Sequence, residues 1–323
     1  MSERVDRRVQ RGLVSANAAN ANRFPCWVSV YIVATVIFFT GCGTVKNSDR
    51  ILADAVSASS TLAAYYDDLA VIALDSWQNQ GVYNALLNIP PPSGSEYNER
   101  LQDFRRRGDL AHALVLVYQH LQTLHDPKGL ASVTTAGQNL GQAIRGISRI
   151  PGAANIPTDE LGSAAAAVAN LRRERDLKRA LNSVIIVNKN LLTLFGAEER
   201  IYLNIQSDRA DTAEHLLELL AQKKLVNPGS LVPGLRIGIA VSAANDEPAA
   251  AAGLAIAKIT AEREKLAWAC ATQQADSMLT ALSGLGDAIK SGATSDLNSI
   301  EESTARANTC LKEHDSITTP GKQ

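Results

Sequence analysis

The side chains able to do chemistry are few and widely spaced. The five histidines are His112, His120, His125, His215 and His314. Asp109-x-x-His112 has the spacing of half a helical two-metal motif, but no matching Glu-x-x-His stands elsewhere. Asp211 and His215 lie four apart, on one face of a helix, with Glu218 nearby. That trio could ligate a metal, but an exposed charged face is the simpler reading. There is no GxxxxGK[ST], GxSxG, HExxH or CxxC. No catalytic residue, metal site or cofactor is therefore expected, and a small-molecule ligand is not expected either. Glu198-Glu199-Arg200 and Arg172-Arg173-Glu174-Arg175 read as solvated faces. Arg105-Arg106-Arg107 reads as surface too, with anionic lipid headgroups as the alternative contact.

The remaining reactive groups are the cysteines Cys26, Cys42, Cys270 and Cys310. Cys42 closes an unusual stretch. Arg4, Arg7, Arg8, Arg11 and Arg23 precede it, against Glu3 and Asp6. The uncharged run Trp27–Thr40 follows, WVSVYIVATVIFFT, and ends in Gly41-Cys42. A basic lead, an apolar core and a small residue before the cut describe a secretory signal. Initiation at a non-Met codon near Leu13 or Val14 would shorten the lead.

Phe39-Thr40-Gly41-Cys42 resembles the lipobox of bacterial lipoproteins, and the likeness covers about residues 23–43. The resemblance implies that residues 1–41 are a signal peptide and that Cys42 is lipid-modified. Residues 42–48 would be a lipidated tether. Gly43 rather than Asp follows the cysteine, which in such proteins favours the periplasmic face of the outer membrane. Partners would then be the membrane, through Cys42, and other envelope proteins. Two alternatives stay open. Phe24–Val45 is 22 residues without a charge, and about 20 suffice to span a bilayer; or Cys42 is a coincidence.

Removing residues 1–41 takes five of 32 basic and two of 33 acidic residues, leaving 27 and 31. A net charge of −4 implies no broad basic surface, and nucleic acid is not an expected partner. It also leaves Cys270 and Cys310 as an even pair, which in an oxidising compartment suggests a disulfide. Helical spacing agrees. Read as two helices meeting at Ser291-Gly292, Cys270 lies about 21 residues before the turn and Cys310 about 18 after it. Their heights differ by roughly 4–5 Å.

Alanine is abundant and aromatics make up 5% of the chain, so an all-α fold is expected: an elongated bundle of long antiparallel helices with coiled-coil-like seams over residues 49–317. The expected helices are Asp49–Gln78, with a further turn over Gly81–Ile89, then Glu96–His125 and Leu130–Ile150. Pro90-Pro91-Pro92 and Asp126-Pro127 separate them. A subdivision near 151–157 is expected. Asp159–Val226 lacks proline and reads as one helix, roughly 100 Å long if unbroken. Its Leu181, Ile185, Asn188, Leu192 and Phe195 alternate by four and three, as a coiled-coil seam does. Asp246–Lys290 and Ala293–Glu313 follow, and 318–323 is expected to fray.

Between the long helices, Leu231–Ala257 is Gly/Ala/Ile-rich and nearly uncharged. It resembles the apolar tip of helical pore-forming toxins, but each arm is too short to span a bilayer as a helix. A hairpin packed on the bundle is the simpler expectation. Long helices without convergent polar groups suit a non-enzymatic scaffold or protein-binding module. A pore-forming or membrane-remodelling protein using 231–257 is the alternative.

Overall fold

The computed structural model describes residues 27–91, 93–123, 129–147, 158–169, 177–226, 247–291 and 295–318. The chain divides into Met1–Val45 and Lys46–Gln323. Of the first unit, the described part is helical from Trp27. Across the described residues there are seven helices and no strand. These are α1 Trp27–Leu86, α2 Gly94–Gln122, α3 Gly129–Ile147, α4 Thr158–Ala169, α5 Leu177–Gln222, α6 Glu247–Ser291 and α7 Ser295–Thr318. The second unit is an all-α bundle, as the composition requires. The arms of the 231–257 hairpin up to residue 246, and Arg172-Arg173-Glu174-Arg175, lie outside the described residues.

Helix α1 supplies two neighbouring buried stripes. Leu52, Ala55, Ser59, Leu62, Tyr66, Leu69 and Ala73 alternate by three and four; Ile51, Ala58, Tyr65 and Ile72 recur every seven. Two stripes bury a wide arc, so α1 meets several partners. Asp67 reaches His112 on α2, Tyr65 meets Phe195 on α5 and Thr272 on α6, and Thr61 meets Asn308 on α7. The paired residues fix directions. Trp77 stacks on Tyr97 while Asp67 meets His112, so α1 and α2 are antiparallel. Arg107 meets Glu198 while Phe104 meets Tyr202, so α2 and α5 are antiparallel. Tyr202 meets Trp268 while Asn188 meets Leu282, so α5 and α6 are antiparallel.

Helix α1 continues through Gly81 to Leu86, past the expected break at Gln78. One interior glycine costs about 1 kcal/mol, too little to end a helix this well packed. The stop comes at Asn88, in the left-handed region with φ 56°. Ile89 N–H donates to Asn84 O and Asn88 N–H to Ala85 O, the paired bonds of a Schellman end. Lys224 repeats this at the end of α5, with φ 59° and Leu225 N–H on Leu220 O.

The single helix expected over Asp159–Val226 is two helices. Helix α4 carries an apolar stripe, Ala164, Ala165 and Val168, which buries in the bundle alongside α3. Gly137 on α3 sits so close to Ala169 that an added Cβ would lie 2.4 Å from its backbone nitrogen. A straight continuation of α5 would lift that stripe off α3. Within α5, Ala180–Gln222 is long and apolar enough by length and composition to cross a membrane, yet 56% of its most apolar window is buried in the bundle, as expected of a core helix.

Candidate functional site

Cys42 lies in the helical stretch of the first unit, and its side chain is outside the described set. Cys270 on α6 and Cys310 on α7 have Cα atoms 5.8 Å apart and sulfurs 2.00 Å apart, at disulfide distance. His112 Nε2 is 2.9 Å from Asp67 Oδ2 on the surface, not beside a second metal half-site. Asp211 accepts from Lys265 Nζ at 2.5 Å and from Ser207 at 3.2 Å. Among the described residues, no three His, Cys, Asp or Glu side chains converge as a metal site would need.

Two expected surface charges are in fact buried. Arg107 and Glu198 are 3% and 6% exposed. Arg107 Nε donates to Glu198 Oε2 at 2.7 Å, and its Nη2 donates to Oε1. The Tyr202 hydroxyl donates to Oε2 at 2.6 Å. The guanidinium also lies 5.5 Å from the centroid of the Phe104 ring. Burial alone would lower the pKa of Arg107, but Tyr202 and Glu198 outweigh it and hold the guanidinium charged. The reason is seam position. Phe104, Arg107, Ala111, Leu114, Tyr118 and Leu121 alternate by three and four on α2. Leu181, Val184, Asn188, Leu191, Phe195, Glu198 and Tyr202 do so on α5. Each charge therefore points inward and meets the other. Asn188, also on the seam, donates to Tyr118 Oη at 2.7 Å and to Leu282 O at 3.2 Å.

Around this pair sits an aromatic cluster. Tyr65 stacks on Trp268 at 4.7 Å, its hydroxyl is 3.0 Å from Thr272, and Trp268 donates to Tyr202 O. Beyond it Arg209 donates to Glu264, whose carboxylate is 3.9 Å from His314. Burial, then the charge of Arg209, pushes His314 down to about 4. These groups tie helices together. None is open to a substrate.

One accessible arrangement is a cleft of about 340 Å³ between α1, α2 and α5. Trp77 and Tyr97 form one wall, stacked 4.8 Å apart and 15° from parallel. Phe104 and Ile205 line its apolar floor, and Asp208 and Thr212 line the α5 side. Asp211 and His215 belong to this wall, so the pair read from the sequence is placed beside a cleft and not on a bare helix face. Trp77 Nε1 and Tyr97 Oη are buried donors without an acceptor. Burial, then Asp75, pushes the Tyr97 phenol up to about 12, so it stays protonated and can donate. An apolar wall with a polar edge is the chemistry of binding. The sequence could not show it, because residues 77, 97 and 208 meet only through tertiary packing. The one available signal was Trp77, a large aromatic beside the core stripe of α1.

No family model matches the chain, and neither a curated protein nor a solved structure matches it.

Proposed function

We propose that this chain is a lipid-anchored protein of the bacterial cell envelope, a non-enzymatic helical scaffold or protein-binding module. The observation that carries the proposal is Thr40-Gly41-Cys42 at the end of an uncharged run behind a basic lead. Acyl chains on Cys42 would hold the protein on a membrane, since each buried CH₂ contributes about 0.8 kcal/mol and two chains anchor stably. Gly43 after the cysteine favours the outer membrane. The Cys270 and Cys310 sulfurs, at disulfide distance, suit an oxidising compartment. The binding role rests on a bundle whose buried charges are spent on one another and whose open cleft is suited to contact. Metabolic labelling with palmitate tests the anchor. Wild-type protein should incorporate label, and Cys42→Ala should not and should remain an uncut precursor. Equal labelling of the variant would defeat the proposal.

A further inference from the structure

We propose that the cleft between α1, α2 and α5 binds a neutral sugar ring, either free or at the end of a glycan. Its volume of about 340 Å³ falls at the small end of ligand sites. The Trp77–Tyr97 stack leaves one face of each ring uncovered by the other. A flat aromatic face suits the C–H face of a pyranose, which is apolar and weakly donating. Trp77 Nε1–H and Tyr97 O–H lack acceptors, and a buried unmet donor is unfavourable. Sugar oxygens are acceptors of the right kind. Across the cleft, the exposed carboxylate of Asp208 can accept from sugar hydroxyls, with the Thr212 hydroxyl one turn along.

Charge selects against other ligand classes. Asp211 is held by Lys265 at 2.5 Å. Arg100 on α2 and Asp208 on α5 both line the cleft, so the lining holds both signs of charge and favours neither an anion nor a cation. A quaternary ammonium also needs aromatic faces on several sides, whereas here the two rings cover each other. The site does not depend on lipidation at Cys42.

The test is saturation-transfer NMR on the full chain in a detergent without a sugar headgroup. The probes are glucose, galactose, N-acetylglucosamine and their β-1,4-linked disaccharides, with tetramethylammonium as the cationic control. At least one sugar should receive saturation at millimolar concentration. Asp208→Asn, an exposed position, should weaken binding about tenfold with an unchanged melting temperature. Trp77→Phe keeps the stack and removes the Nε1 donor, and should weaken binding by less. A disaccharide that binds about tenfold or more tighter than its monosaccharide assigns the site to a glycan end, and equal affinity assigns it to a free sugar. No transfer to any sugar, undiminished binding by Asp208→Asn, or displacement of the sugar by tetramethylammonium would overturn the proposal.

Discussion

The same three helices meet at two levels and do opposite things there. At the first, Arg107, Glu198 and Tyr202 close on one another and are buried. At the second, about 15 Å further along α5, Trp77, Tyr97 and Asp208 line an open cleft. Phe104 belongs to both: it lies under Arg107 at the first and lines the second. The residue types are nearly the same, and the difference is where along and around the helices they sit. Arg107 and Glu198 occupy seam positions, so their charges face inward and pair. Asp208 falls one residue off the α5 seam, beside Arg209, and is exposed; Arg100 keeps the α2 alternation but lies beyond Phe104 toward the helix start, where its side chain is exposed.

The largest expected effect is at the closed level. Glu198→Ala leaves the Arg107 charge buried and unpaired, which should cost about 3–5 kcal/mol in chemical denaturation. Replacing both, Arg107→Met with Glu198→Leu, should cost far less, because neither charge then remains buried. If the single change costs under about 1 kcal/mol, the pair is not sealed from water and the two levels are alike.

Next comes the α6–α7 clasp. The cysteines are 40 residues apart, and reduction should lower stability by about 3–4 kcal/mol in the chain-entropy model. Oxidised, denatured protein should show no free thiol at Cys270 or Cys310. Two titrating thiols would mean that the pair is close but unbonded.

A smaller, pH-dependent effect separates a buried group from a half-buried one. Burial, then Arg209, holds His314 at about 4, while the unfolded chain protonates its histidine near 6.5. Its contribution is full above about 6.5 and is lost as pH falls toward 4. Asp68 is the reverse. Burial, then Asp315 and Asp67, raises it to about 7 from 3.8. Its contribution is full below about 3.8 and is lost as pH rises through 7. The two oppose each other between pH 4 and 6.5. Asp68→Asn should be stabilising at pH 7.5, with the gain vanishing near pH 4. His314→Gln should reduce the loss of stability on acidification. Parallel pH–stability curves for the wild type and both variants would contradict these assignments.

The smallest effect is at the open level, where Asp208→Asn should change stability by less than about 0.5 kcal/mol. A larger loss would place Asp208 in the structural frame and erase the contrast.

Much of the fold was legible because seam residues announce themselves by spacing. Of the seam read on α5, Leu181, Ile185, Asn188 and Phe195 are buried and Leu192 is partly buried. Helix rise put Cys270 and Cys310 within roughly 4–5 Å in height, and their Cα atoms are 5.8 Å apart. Arg107 and Glu198 were misread because charge type outweighed position, although both fit the three–four alternation of their helices. The break between α4 and α5 was not legible because no proline marks it. It follows from α3 claiming the Ala164–Val168 stripe, a tertiary demand. The cleft was illegible for the same reason, since its walls come from three helices distant in sequence.

The most direct test of the central claim, a lipid anchor at Cys42, is the intact mass of the protein extracted from cell membranes. The account expects a chain beginning at Cys42 that carries the added mass of its acyl chains. A chain that retains residues 1–41, or one with an unmodified Cys42, would contradict it.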